Sequence, residues 1–242
     1  MKVYIQCNSK MLPSTDNFFK AYMAFHEMGF ETKLFHSLEE LADSKPEDIV
    51  VGYVGTCKWQ LKRLGVDYHD MDYPEELTKY LGRKIWKSTI NTINTHPELW
   101  PVFVKSVKNK VINGTKITCP KDLIGCGAYD GDSDVYCSEI VNFVAEWRVF
   151  VRYGQILDVS QYKGHWKHHY DSEVIAQCVK DFTKAPAGYA LDFGLTDKGE
   201  TLLIEFNDGY ALGSYGLLYF NYGKLLAARW AELTGTKDEC NF

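Results

Sequence analysis

Leu202-Leu203-Ile204-Glu205-Phe206-Asn207-Asp208-Gly209 follows Gly188-Tyr189-Ala190-Leu191-Asp192-Phe193-Gly194 across a turn-forming Asp197-Lys198-Gly199. The two β-rich runs read as an antiparallel hairpin. Successive side chains of a strand point to opposite faces, so Glu205 and Asn207 emerge together while Phe206 turns away into apolar surroundings. Asp192 lies opposite Glu205 if Leu195 faces Leu202, Thr196 faces Thr201 and Asp197 to Glu200 form a four-residue loop. A three-residue loop puts Asp192 on the other face unless a bulge intervenes. An oxygen-only set of two carboxylates and an amide suits a hard cation such as Mg²⁺, which keeps waters and takes phosphate oxygens in its remaining positions. The plain alternative is a hairpin with an ordinary polar face.

Working outward from the hairpin, an amphipathic helix is predicted before it over Ser172 to Lys184. A flexible aromatic loop, Tyr210 to Gly216, and a helix over Tyr219 to Thr234 are predicted after it. Upstream, Glu146 to Arg152 turns through Tyr153-Gly154 into Gln155 to Tyr162. A two-residue loop there sets Arg152 against Gln155, Arg148 against Val159 and Glu146 against Gln161. Glu146, Arg148, Phe150 and Arg152 then share one side. Such a face is either simply solvated, or it carries an arginine whose donor fork reaches an anion while Glu146 orients it. Val135 to Asn142 is β-prone. So is Trp100 to Val107, where Lys105 shares a face with Phe103 and Val107 and is either a snorkelling surface lysine or a cation held in a cleft. Asn113-Gly114, after Lys110, signals a type I′ hairpin.

At the N-terminus the order β-α-β-α-β, over residues 2 to 54, argues for a small parallel sheet flanked by helices. Residues 57 to 100 read as largely helical, and a domain boundary is placed near residue 83. With 242 residues, 45% hydrophobic and 24% charged, the composition is that of an ordinary globular protein. The net charge of −5 gives no pull toward nucleic acid. No apolar run approaches the ~20 residues of a membrane helix, and no apolar signal segment opens the chain, so a cytoplasmic location is expected. Seven scattered cysteines without a Cys-x-x-Cys read as free thiols. Asp130, Asp132 and Asp134 imitate half of a calcium loop, but Val135 and Val141 stand where Gly and Glu are needed. His165 to His169 reads as a surface loop. Neither a P-loop nor a Gly-x-Ser-x-Gly elbow is present.

Lys105, Ser138-Glu139-Ile140-Val141, Glu146-Trp147-Arg148-Val149-Phe150-Val151, Asp192 and Glu205-Phe206-Asn207-Asp208-Gly209, in that order, resemble the ATP-grasp superfamily over roughly residues 50 to 234. More narrowly, they are similar to the clade named for two arginines and a lysine, which includes the eukaryotic assembly factor of translation initiation factor two and small bacterial and phage proteins. The resemblance implies an α/β (α+β) fold. A small N-terminal parallel α/β domain, residues 1–83, would precede an ATP-grasp domain, residues 84–242, whose antiparallel sheets clasp a nucleotide. It further implies that Lys105, with Lys110 as a second cation, contacts the phosphates, and that Ser138, Glu139, Ile140 and Val141 form the hinge against adenine. Asp192, Glu205 and Asn207 would hold Mg²⁺. Arg148, beside Glu146, would steady the transferred phosphate, and Arg83 would be the clade's other arginine. The implied activity is an ATP- and Mg²⁺-dependent carboxylate–amine ligase acting through an acylphosphate on a peptide, protein or small metabolite. An ATP-binding assembly chaperone is the alternative from another class, and a kinase-like phosphotransferase is the third.

Overall fold

The computed structural model describes residues 1–69, 71–107, 112, 114–126 and 131–242. Lys110 and Asn113 lie outside these residues, as do Gly127 to Asp130. The chain forms two compact units, Met1–Tyr80 with Val144–Phe242, and Leu81–Phe143.

The first unit begins as the sequence predicts. Strands β1 (Lys2–Gln6), β2 (Glu31–Phe35) and β3 (Ile49–Val51) form a parallel sheet in the order β2-β1-β3. Helix α1 (Asp16–Glu27) joins the first two strands. It starts where Thr15 accepts a hydrogen bond from the Phe18 amide, and it stops before Gly29, whose φ of +85° suits a residue without Cβ. The second expected helix is a single 3₁₀ turn at Leu38–Leu41, capped by Glu40 accepting from the Ser37 amide.

Helix α2 (Val54–Arg63) accounts for only part of the predicted helical stretch from 57 to 100. A strand, β4 (Ile85–Thr89), occupies the middle of the remainder, before the short helix α3 (Ile90–Thr95). Ile85, Trp86 and Thr89 favour a pleated surface, and pairing with a distant strand decides the matter. In the second unit β4 joins β5 (Val102–Ser106), β6 (Thr115–Ile117) and β7 (Asp134–Ser138) in an antiparallel sheet ordered β4-β7-β5-β6. Its core includes Ile90, Ile93, Val102, Val104, Ile117 and Val135. Strand β7 ends at Ser138, four residues short of the predicted run to Asn142, so Ile140 and Val141 lie in irregular backbone.

Back in the first unit, β8 (Phe143–Arg152), β9 (Gln155–Gly164), β10 (Gly188–Thr196) and β11 (Thr201–Asp208) make a sheet ordered β11-β10-β8-β9. Helix α4 (Ser172–Asp181), capped by Asp171, is shorter than predicted. Helix α5 (Tyr219–Thr234) ends at Gly235 in the left-handed region. Phe150 of β8 and Ala190 of β10 belong to the same buried cluster as Val3, Ile5, Phe25 and Trp230, so one face of this sheet shares a core with the parallel sheet and α5. The opposite face buries Phe206 and Tyr189 against Phe182.

Candidate functional site

The β10–β11 hairpin sets the geometry. Asp192 pairs directly with Glu205, and Ala190 with Asn207, so the three polar side chains share a face. The route to this register differs from the simple one. Thr196 donates its amide to the Glu200 carbonyl, and Gly199 stands at φ +84°, which makes a three-residue loop, Asp197 to Gly199. Leu195 accordingly faces Thr201 and Gly194 faces Leu202. A bulge then leaves Ile204 unpaired and restores Asp192 to Glu205.

Bulges also move the partners of β8. Arg152 faces Gln155 as predicted, but Arg148 faces Ser160 rather than Val159, and Glu146 faces Lys163 rather than Gln161. The additional residues fall in β9, so β8 keeps its alternation. Glu146 forms an ion pair with Lys163. Arg148, 5% exposed, extends to the neighbouring β10 instead: its Nε donates to Asp192 Oδ1 and its Nη2 to Asp192 Oδ2, both at 2.7 Å. This parallel fork holds two guanidinium nitrogens in place with charge-assisted hydrogen bonds and commits two of arginine's five donors. Burial opposes the charge on Arg148, but the bonds and charge of Asp192 prevail and raise its pKa. Burial also pushes the Asp192 carboxyl upward, Glu205 adds to that push, and Arg148 pulls against it.

Asn207 bears on whether a metal would fit here. Its Nδ2 is buried with no acceptor at hydrogen-bond distance among the described residues, though the amide is near enough to Asp192 to favour the ionised carboxylate. Rotating the amide exchanges Nδ2 for Oδ1, which places an oxygen ligand where a donor has nothing to satisfy. Among the described residues no cluster of three or more His, Cys, Asp or Glu side chains is gathered as a metal site. Asp192, Glu205 and Asn207 instead supply two carboxylates and an amide, a set that fits Mg²⁺ with water and phosphate oxygens completing its shell.

Two aromatic residues that sequence reasoning passed over complete the surroundings of Arg148. The Tyr215 ring lies over the guanidinium, 4.2 Å from Cζ to ring centroid, and meets the Tyr162 ring edge-on at 5.1 Å. The Tyr162 hydroxyl is pushed well above its ordinary pKa by burial and by the charges of Asp192 and Glu146. The only sequence signal for Tyr215 is an aromatic between glycines in Gly213-Ser214-Tyr215-Gly216. The adjacent acid, Asp208, faces the other way and is gripped by Arg229 through Nε and Nη2 at 2.7 Å each.

The second unit carries the other predicted residues. Lys105 sits opposite Tyr136 in β5, with Nζ 5.9 Å from that ring's centroid. Ser138 is buried and donates its hydroxyl to the Glu139 carbonyl. Glu139 exchanges hydrogen bonds with Lys84: its carboxylate accepts from the Lys84 amide at 2.8 Å, and its own amide donates to the Lys84 carbonyl. Ile140 and Val141 follow, half-buried. Arg83 donates to the Leu81 carbonyl and stacks over Phe143.

A family model described as "ATP-grasp domain, R2K clade family 2" matches residues 80–225. No curated protein matches the chain. Among solved structures, the fold is similar to N5-carboxyaminoimidazole synthetase from Staphylococcus aureus, at 12% identity and a TM-score of 0.60, covering 98% of this chain and 77% of that one. It is also similar to D-alanine–D-alanine ligase from Bacillus anthracis, at 14% identity and a TM-score of 0.55, covering 96% of each chain. A third likeness is to the macrocyclase MdnC bound with precursor peptide MdnA from Microcystis aeruginosa, at 12% identity and a TM-score of 0.55, covering 98% of this chain and all of that one. At these identities the likeness is one of fold.

Proposed function

The chain belongs to the ATP-grasp domain family, R2K clade family 2, and from that premise we propose that it is an ATP- and Mg²⁺-dependent ligase that activates a carboxylate as an acylphosphate for capture by an amine. The observation that carries this reading is the buried Arg148–Asp192 fork with Glu205 in register beside it, a fixed cation next to a pair of oxygen ligands. Phosphoryl transfer asks a protein for position and charge neutralisation more than for a nucleophile, and these residues supply both.

In this reading the substrate carboxylate attacks the γ-phosphorus of ATP and ADP departs. The amine then attacks the acyl carbon, inorganic phosphate leaves, and the amine proton passes to solvent. Arg148, oriented by Asp192, meets the transferred phosphoryl oxygens with its uncommitted donors. Lys105 contacts the phosphates, with Lys110 as second cation, and Ser138 to Val141 form the adenine hinge. Asp192, Glu205 and Asn207 would hold Mg²⁺, which would supply neutralisation of phosphate charge. The family match beginning at residue 80 supports a domain boundary near residue 83, with residues 1–83 as the N-terminal domain and 84–242 as the ATP-grasp domain. A peptide is one acceptor class in keeping with the macrocyclase likeness. Among the described residues no helix is long and apolar enough to cross a membrane.

Calorimetry of the full chain with ATP, with and without Mg²⁺, tests the site. Binding is expected to require Mg²⁺ and to be lost in Glu205→Gln. In Asn207→Ala it should weaken about tenfold or more while the melting temperature falls little, because Nδ2 has no acceptor at hydrogen-bond distance among the described residues. Absence of ATP binding in the folded wild type would refute the reading. ADP appearing only with a carboxylate and an amine present would support ligase turnover. Tight binding with no ADP or modified acceptor by mass spectrometry, but a partner retained by the ATP-bound chain, would favour the chaperone.

A further inference from the structure

Resting on the reading of Arg148 as the phosphoryl-binding cation, we propose that Tyr215 is its positioning residue: its aromatic face, held by an anchored loop, keeps the guanidinium aimed for the phosphoryl group in transit. Asp192 determines where two of the guanidinium nitrogens lie, but the fork alone leaves the plane able to rock about the line joining the two carboxylate oxygens. A ring face at 4.2 Å closes off that motion on one side and favours the cation electrostatically. Tyr162, edge-on to Tyr215, supports the ring from β9.

The loop holding this ring is strained and tied down. Tyr215 has φ +39°, a left-handed conformation that costs a non-glycine residue free energy, and Gly216 follows at +99°. Next to them Ser214, 2% exposed, donates its amide and hydroxyl to Asn17 Oδ1 at 3.0 and 2.8 Å and accepts from Lys20 Nζ at 3.1 Å. Gly213 admits the ring, for a Cβ there would come 2.8 Å from Tyr215 Cε2. Tyr215 itself remains 46% exposed, so the strained backbone is not explained by burying the ring. What the conformation achieves is the stack on Arg148. The predicted flexible aromatic loop is in fact a bracket between α1 and β8.

The test uses the full chain and Mg-ADP with and without aluminium fluoride, a mimic of the phosphoryl group in transit, with affinity read by calorimetry. In wild type the fluoride is expected to tighten Mg-ADP binding. Tyr215→Leu and Tyr215→Met should lose about tenfold of that gain, the scale of a desolvated cation–π contact, while binding Mg-ADP alone as wild type does. Tyr215→Phe, which keeps the ring face, should retain the gain, whereas a merely structural role would alter both ligands alike. The proposal is overturned if Arg148→Lys abolishes the gain while Tyr215→Leu and Tyr215→Met keep it, which leaves the reading of Arg148 standing. If Arg148→Lys also keeps the gain, the reading of Arg148 fails and the proposal with it.

Discussion

Replacing Asp192 with Asn removes one charge from a pair whose side chains are only 7% and 4% exposed. The amide oxygen can still accept one of the two 2.7 Å bonds, but its NH₂ group is set against an arginine N–H, donor facing donor. Losing one charge-assisted bond outright, at about 1.5–3 kcal/mol, and weakening the other by up to as much, gives at most roughly 3–6 kcal/mol. Leaving one member of a buried pair unmatched typically costs about 3–5 kcal/mol, so the two routes agree. For a chain of this size that corresponds to a fall of about 6–20 °C in melting temperature. The double variant Arg148→Met with Asp192→Leu removes both charges, and its stability should return close to wild type or above it, since apolar replacement also removes the desolvation cost. Neither variant should respond to the phosphoryl mimic. Urea unfolding followed by far-UV circular dichroism at pH 7 reads the stabilities, in low and high salt, because a buried pair is weakly screened. A loss below about 1 kcal/mol for Asp192→Asn would place the pair in the class of surface bridges and refute the argument. A double variant no more stable than the single one would show that the stranded charge is not the source of the cost.

Asp181 is held down at about 2 by Lys79, Tyr80 and Gln177, against an ordinary value of 3.8. The unfolded chain therefore takes up this proton first as pH falls, and the stabilisation present above about pH 4 is lost between roughly pH 4 and 2. Urea midpoints measured from pH 6 to 2 should fall more steeply for wild type than for Asp181→Asn; parallel curves would disprove the linkage. Of the seven free cysteines only Cys119 is exposed, and burial pushes the Cys57 and Cys178 thiols up to about 12. A thiol reagent at pH 8 should label about one group per native chain and all seven in denaturant; rapid labelling of several native thiols would contradict the packing.

Much of the fold was legible because local chemistry and tertiary packing agree. Val3 to Ile5, the helix ending at Gly29 and the run Ile49 to Val51 declare a parallel layer, and the hairpin acids declare a shared polar face. What escaped depended on partners distant in sequence. Ile85 to Thr89 reads ambiguously until Asp134 to Ser138 lies beside it. One β9 bulge shifts Arg148 from Val159 to Ser160, a second carries Glu146 on to Lys163, and no residue type announces either. The Arg148–Asp192 fork needs β8 beside β10, an adjacency hidden by the intervening β9 and α4. Tyr215 was harder still, since the aromatic in its glycine-rich segment carries no sign of the hydrogen bonds to Asn17 that fix it.

The bulge at Ile204 and the three-residue loop at Asp197 to Gly199 are each a displacement by one residue, and on the acids they cancel. Parity, in effect, is conserved along the hairpin. A chain that gains or loses one residue in the loop must also lose or gain one at the bulge, or else turn Glu205 and Asn207 into the apolar layer that now receives Phe206. Loop length, normally the freest variable in a hairpin, is here bound to the position of the acids five and six residues away.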